Sequence, residues 1–211
     1  MDCDNPCRVF RLKATNTDDE PKRPDIDMVD NRNQAPAWER LREILILRVR
    51  PVEDYIPIEA HVIHRRASEW NAYHSSFDFF SAELAEAIER ICPGAVRFLP
   101  AKINQHPFFV PFFEQPLDVL DVSESDVSRN PGDPESNSVF YWVFRHELIP
   151  DPALFMVPET FHTQRQILMS RSVAIQIHQL KLKGVDIFCA EGFDRVSPQW
   201  KRRPIEDVPL H

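Results

Sequence analysis

The chain has 211 residues, 43% of them apolar, which is enough for one large domain or two small ones with a buried core. Its formal net charge of −8 argues against general binding to the phosphate backbone of nucleic acid, which needs a basic surface. Only 4 glycines accompany 19 prolines, and they are too scattered for phosphate-binding or nucleophile-elbow motifs.

The apolar runs and the cysteines bear on the compartment. No apolar run approaches the ~20 residues that span a bilayer, and the start MDCDNPCRVF lacks the features of a signal peptide. The sequence therefore predicts a cytoplasmic protein without a membrane partner. Cys92 and Cys189 lie in apolar contexts typical of buried thiols, whereas Cys3 and Cys7 leave open a disulfide or half of a metal site.

The first part of the chain predicts one strand, a polar loop and a mixed segment. CRVFRLKA at residues 7–14 is typical of a strand, and residues 15–36 are rich in Asp, Asn and Pro. WERLREILILRV at residues 38–49 begins like a helix and ends like a buried strand.

Residues 77–100 predict a strand, a capped helix and a second strand. The apolar residues 77–80 are followed by Ser81, whose hydroxyl can accept a hydrogen bond from a first-turn amide. A stripe of apolar residues at helical spacing then ends at Gly94. Alternation resumes after it, and Pro100 is expected to close that strand.

The same order of elements recurs near the C-terminus. An apolar segment at residues 154–157 precedes Pro158 and Glu159, which are suited to the first turn of a helix. The predicted helix is long, either continuous or interrupted, and reaches about Leu182. Gly184 is expected to end it, and a strand follows.

Both glycines precede a phenylalanine by four positions, Phe98 after Gly94 and Phe188 after Gly184. The sequence therefore predicts an α+β fold, a single mixed domain built around two strand–helix–strand units, with a loose N-terminal region. The predicted boundaries are 1–36 for the N-terminal strand and polar loop, 37–195 for the domain and 196–211 for a C-terminal tail.

Histidine spacings do not complete a metal site. His61 and His64 stand three apart, but their strand-like context would put them on opposite faces. His146 and Glu147 begin like a zinc-binding helix, yet no second histidine follows. No metal or other cofactor is expected.

A nucleophile–base pair is the basis of the enzymatic alternative. His178 with Cys92 or Cys189 would make a small hydrolase, although nothing in the sequence brings them together. The sequence favours a protein that is not an enzyme.

An acidic surface segment is the strongest candidate for a binding site. Residues 118–135 carry six carboxylates against one base, Arg129, a formal charge of −5. Such a segment can steer and orient a cationic partner. The predicted partner-binding residues are Asp118, Asp121, Glu124, Asp126, Asp133 and Glu135.

Two aromatic stretches flank this segment. HPFFVPFFEQP at residues 106–116 supplies four phenylalanines that are either core residues or partner anchors: Phe108, Phe109, Phe112 and Phe113. VFYWVF at residues 139–144 predicts a buried strand.

Four stretches together resemble a known family: CRVFRL, DFFSAELAEAIERICPGAVRFLPAKI, FFEQPLDVLDVSESDVS, and VFRHELIPDPALFMVPETF with LKGVDIFC. The family is immunity family eleven of the bacterial polymorphic-toxin systems. The resemblance spans most of residues 7–190 and rests on spaced apolar and turn residues. The chain departs from the pattern at residues 15–33, at residues 51–70 and after Gly192.

The resemblance implies a cytoplasmic antidote that binds and neutralises a cognate toxin without catalysis. Its partner would be a toxin protein with a basic surface, bound one to one or by a homodimer. An adaptor of the same secretion system is a second alternative to the hydrolase.

Overall fold

The computed structural model describes residues 7–14, 26–27, 35–62, 72–74, 77–130, 132, 137–163, 166–191 and 204–207. The predicted α+β class is confirmed, since three helices accompany sheets of six, four and two strands among these residues. Backbone contacts group the chain into two compact units. The inner unit comprises residues 13–114 and 182–185, and the terminal unit comprises residues 1–12, 115–181 and 186–211.

The inner unit is built on the six-stranded sheet. The strands of this sheet are β2 (Ile26–Asp27), β3 (Ile58–Val62), β4 (Ala72–His74), β5 (Asp78–Ser81), β6 (Arg97–Ile103) and β7 (His106–Phe112). They lie in the order β2-β3-β6-β7-β5-β4. Strands β3 and β6 pair in parallel, and the other neighbours in this sheet pair antiparallel.

The first strand–helix–strand unit, here the first repeat, is β5, helix α2 (Ala82–Ile91) and β6. The predicted cap is confirmed, because the Ser81 hydroxyl accepts a hydrogen bond from the Leu84 amide at 3.2 Å. After the helix, Gly94 adopts a φ of +72°, which a residue with a Cβ rarely adopts. Both strands of the repeat pair with β7, which lies between them.

Strands β6 and β7 both contain prolines, and the proline in β6 contradicts the predicted end of that strand. Pro100 does not close β6, since the strand continues to Ile103 and Pro100 lies opposite Phe109 of β7. Proline cannot donate to a sheet ladder, so it is unusual in a central strand. Strand β7 holds that position with two prolines because β5 pairs only with Phe108 and Phe109, which lie between them.

Helix α1 (Ala35–Leu45) contributes to the core of the inner unit. In this core the rings of Trp38 and Phe77 stack with their centroids 5.7 Å apart. The strand predicted after this helix is absent from the described residues 46–49, which turn instead. The turn needs a φ of 55° at Arg48. The guanidinium of Arg48 lies 4.6 Å from the centroid of the Phe112 ring and donates to the Phe113 carbonyl.

The terminal unit contains a four-stranded and a two-stranded sheet. Their strands are β1 (Val9–Ala14), β8 (Asp126–Ser128), β9 (Ser138–Tyr141), β10 (Leu154–Phe155), β11 (Ile167–Ser170) and β12 (Val185–Cys189). The four-stranded sheet has the order β10-β11-β1-β12, and β8 pairs with β9. The strand predicted at the N-terminus is confirmed as β1.

The second repeat is β11, helix α3 (Arg171–Gln179) and β12, and the predicted start of its helix at Pro158 was wrong. Residues 158–163 form a 3-10 helix rather than the first turns of a long α-helix. The helix begins after Ser170, whose backbone has the same cap conformation as Ser81. The predicted stop is confirmed, with Gly184 at a φ of +81°. In this repeat β1, from the start of the chain, lies between the two strands.

Part of the predicted C-terminal tail packs on the terminal unit. Ile205, in a 3-10 helix at Ile205–Asp207, is buried, and Pro204 forms a β-bridge with Phe188. The other tail residues, 196–203 and 208–211, lie outside the described part of the chain, as do residues 15–25 and 28–34 of the predicted N-terminal loop. Among the described residues, no helix is long and apolar enough to cross a bilayer.

Candidate partner-binding surface

The first half of the acidic segment is part of an ordered ladder in the terminal unit. Leu120 and Phe144 form a β-bridge, and the Asp121 amide donates to the Val143 carbonyl at 2.8 Å. The ladder continues into β8 and β9, where Ser128 lies opposite Ser138. Carboxylates on this segment are therefore presented from a fixed backbone.

Asp118 is neutralised within the unit. Its carboxylate accepts a hydrogen bond from Arg145 at 2.8 Å, and the same guanidinium nitrogen donates to the Asp118 carbonyl at 2.9 Å. The side chain of Asp118 is 77% exposed, so the ion pair is solvated and contributes little to stability. Because Arg145 carries the opposite charge beside it, Asp118 nevertheless adds little net negative charge to the surface that a partner would contact.

Asp121 holds the turn that follows the ladder. One of its carboxylate oxygens accepts hydrogen bonds from the Ser123 hydroxyl at 2.6 Å and from the amides of Ser123 and Glu124. The Ser123 hydroxyl, helped by those two amides, holds the pKa of Asp121 below its ordinary value. Asp121 thus shapes the loop that carries Glu124.

Arg129, the single base of the segment, is engaged by a buried carboxylate. Its guanidinium lies 3.1 Å from Glu159, whose side chain is only 6% exposed. Burying a carboxylate is costly unless it is paired, and this contact gives the Oε1 atom of Glu159 its partner, while the buried Oε2 atom has no hydrogen-bond partner in the described part of the chain. Arg129 is consequently not available to neutralise the surface carboxylates beside it.

Glu124 and Asp126 remain as exposed carboxylates without an ion pair to any described residue. Asp126 lies directly opposite Tyr141, which is 38% exposed. Side chains opposite each other in an antiparallel pair lie on the same face. Val122 lies in the turn that follows Asp121 and is 37% exposed. We call these four exposed residues the acidic patch: Val122, Glu124, Asp126 and Tyr141.

The structure thus separates the predicted partner-binding residues. Asp118 is paired, Asp121 shapes the turn, and Glu124 and Asp126 are exposed. Asp133 and Glu135 lie outside the described residues.

The apolar composition of residues 139–144 predicts a buried strand and does not distinguish Tyr141, whereas the observed strand ends at Tyr141 and leaves its side chain exposed. The register shifts between Asp126, opposite Tyr141, and Val127, opposite Val139, so β9 has an extra residue here. Such a bulge rotates the following side chain out of the expected alternation. Val139 is accordingly buried while Tyr141 faces solvent. The tyrosine hydroxyl within an apolar run was the available indication.

The phenylalanines considered as anchors belong to the inner unit. Phe108, Phe112 and Phe113 are buried, and Phe109 is half-buried with its ring edge to Phe98. They therefore form core rather than a docking surface.

The cysteine assignments need one correction. Cys189 is not a thiol but forms a disulfide with Cys7, 182 residues away, because β1 and β12 are neighbours in the sheet. Cys7 is therefore not paired with Cys3, which lies outside the described residues. Cys92 is a buried thiol outside any disulfide of the described residues, as predicted.

The alternative pair of His178 with Cys189 is ruled out by the disulfide. His178 lies 3.6 Å from Glu206, and Cys189 is not a nucleophile while its sulfur is bonded to Cys7. His61 lies in strand β3, as expected, and His64 lies outside the described residues. His146 begins a short 3-10 helix and contacts Glu191 at 2.7 Å.

Comparison with known proteins adds no relative. No protein-family model matches the chain, and no curated protein matches it.

Proposed function

We propose that the chain is a bacterial antidote that neutralises a cognate protein toxin by binding a cationic surface of that toxin, in the cytoplasm and without catalysis. We infer a toxin as the partner from the resemblance of most of residues 7–190 to immunity family eleven. The observation that carries the binding role is the acidic patch, which combines two exposed carboxylates with an exposed tyrosine on an ordered ladder.

The charge of the patch would act mainly on encounter. Glu124 and Asp126 face solvent while both described arginines near them are engaged by Asp118 and Glu159. Exposed charge of one sign raises the association rate of an oppositely charged partner, and this gain falls with ionic strength.

Tyr141 would act mainly on the lifetime of the complex. Tyrosine is enriched among the residues that dominate binding energy, since it buries a large apolar ring and still offers a hydroxyl. With Asp126 opposite it and Val122 exposed in the neighbouring turn, the ring would be enclosed by a polar and partly apolar border.

The test uses the product of the gene adjacent to this one as the candidate toxin. We expect that product to poison a bacterial host and the intact chain to rescue growth. The double variant Glu124→Lys with Asp126→Lys should slow association with the toxin about tenfold at low salt. It should also weaken the dependence of the association rate on salt concentration, and surface plasmon resonance measures both effects.

The matched control is Glu39→Lys with Glu86→Lys, two exposed carboxylates on helices of the inner unit. Both double variants change the formal charge by +4, two per substitution, so they separate a local effect from net charge. Equal slowing by both variants, or no slowing by either, would argue against the acidic patch as the docking surface.

A second variant separates encounter from lifetime. Tyr141→Ala should leave the association rate nearly unchanged and raise the dissociation rate about tenfold, the effect of losing about 1.4 kcal/mol at a central aromatic contact. An adjacent gene product that neither binds nor poisons would remove the toxin from the proposal.

A further inference from the structure

A second cluster of reactive side chains lies at the edge of the four-stranded sheet in the terminal unit. Cys7 precedes β1, Cys189 ends β12, and Glu191 follows two residues later. The two sulfurs and a Glu191 carboxylate oxygen all lie within 4.8 Å of one another. We call these three residues the Cys–Glu cluster.

Glu191 is held in place from three sides. One carboxylate oxygen accepts hydrogen bonds from the amides of Arg8 at 2.5 Å and Val9 at 3.3 Å. The other lies 2.7 Å from the Nε2 atom of His146. Hydrogen bonds of this kind orient carboxylate ligands in metal sites. Glu191 therefore stays beside the sulfurs rather than extending into solvent.

The chemistry of the cluster depends on the redox state of the cysteines. Disulfides persist in oxidising compartments, whereas thiol systems keep cytoplasmic cysteines reduced. A dithiol reductant would pass two electrons to the Cys7–Cys189 bond, become a disulfide itself, and leave two protonated cysteine thiols. Reduction thus converts a covalent link into two soft ligands next to a fixed carboxylate.

We propose that the reduced Cys–Glu cluster binds one Zn²⁺ ion through both thiolates and the Glu191 carboxylate. Binding releases the two thiol protons, because zinc takes cysteine as thiolate. His146 is a positioning residue that holds Glu191, and water completes the tetrahedron. This site is independent of the acidic patch and of the proposed toxin.

The dimensions suit zinc. With zinc–sulfur bonds of about 2.3 Å, two thiolates on a tetrahedral ion lie about 3.8 Å apart, close to the contact distance of unbonded sulfurs. Strands β1 and β12 are neighbours and the Cα atoms of the two cysteines lie 5.9 Å apart, so a small side-chain movement is enough. The ion would keep residues 182 positions apart joined after reduction.

The first experiment uses the full wild-type chain, so it does not depend on any variant folding. The chain is reduced with a phosphine, transferred to anaerobic buffer and titrated with Zn²⁺ against a metal-sensitive dye. We expect one tightly bound Zn²⁺ per reduced chain and none on the oxidised chain. Co²⁺ in place of Zn²⁺ should show a thiolate-to-cobalt charge-transfer band. Failure of the reduced chain to bind stoichiometric zinc would overturn the proposal.

Variants then assign the ligands. Cys7→Ser and Cys189→Ser should lose the charge-transfer band or weaken it greatly, and Glu191→Gln should lower zinc affinity about 10- to 100-fold. Cys92→Ser and Cys3→Ser are the controls and should bind zinc as wild type does. A loss of binding in either control, or wild-type binding by Cys7→Ser, would contradict this set of ligands.

Discussion

The two strand–helix–strand repeats place a serine at the same junction and use it differently. Ser81 and Ser170 have nearly identical backbone conformations, with φ, ψ of −63°, 164° and −65°, 161°. In the first repeat the hydroxyl caps its own helix through the Leu84 amide. In the second, the Ser170 hydroxyl accepts from the Ala153 amide at 3.1 Å and donates to Asp151 at 2.8 Å.

The difference shows that one local conformation can serve two levels of structure. Helix α2 is stabilised locally, by its cap and by Glu83 in the first turn, whereas the first turn of α3 contains no acidic residue. Helix α3 depends more on the segment that packs against the end of β11. Stability in the first repeat is therefore more local than in the second.

The largest expected effect is that of Ser170→Ala. It should lower the free energy of unfolding by about 2–3 kcal/mol, because the buried Ala153 amide loses its partner and Asp151 keeps only the Ser172 hydroxyl of its two hydroxyl donors. Urea denaturation measures the loss, and hydrogen exchange at the Ala153 amide should report it in the terminal unit. A smaller loss than for Ser81→Ala would contradict the comparison.

Alkaline pH should affect the inner unit through Tyr55. Burial raises the pKa of Tyr55 from 10.0 to about 12, and its hydroxyl donates to the Pro100 carbonyl in the first repeat. Because the folded pKa is raised, this stabilisation is complete below pH 10 and is lost as the pH rises toward 12. Wild type should lose about 2 kcal/mol relative to Tyr55→Phe across that window. Parallel curves of stability against pH for the two proteins would refute this assignment.

The smallest expected effect is that of Ser81→Ala, about 1 kcal/mol, since a capping hydrogen bond is lost at a half-buried position. Ser81→Asp should retain stability because aspartate also caps helices. Ser170→Asp should be destabilising, since it places a second carboxylate beside Asp151. Equal stability of the two aspartate variants, measured by urea denaturation, would show that the serines have the same role.

Local patterns predicted the first repeat well. The cap at Ser81 and the stop at Gly94 are both determined by residues within one turn of the helix end. The second repeat was misplaced because Pro158 and Glu159 have the composition of a helix start, although they begin a 3-10 helix. The true junction follows β11, whose four residues are all buried and show no alternation.

The binding surface could be predicted only in outline. Composition identified an acidic segment, but the partners that neutralise or engage its residues lie far along the chain. Arg145 is 27 residues from Asp118, and Glu159 is 30 residues from Arg129. Spacing along one sequence does not encode such contacts.

The sequence by itself determined the α+β class, the first repeat and the acidic character of residues 118–126, because these depend on periodicity, capping residues and charge within short windows. Only the tertiary structure decided that β1 inserts into the second repeat and thereby brings Cys7 to Cys189. Strand order is set by the burial of whole faces of a sheet, and residues separated by most of the chain contribute to each face.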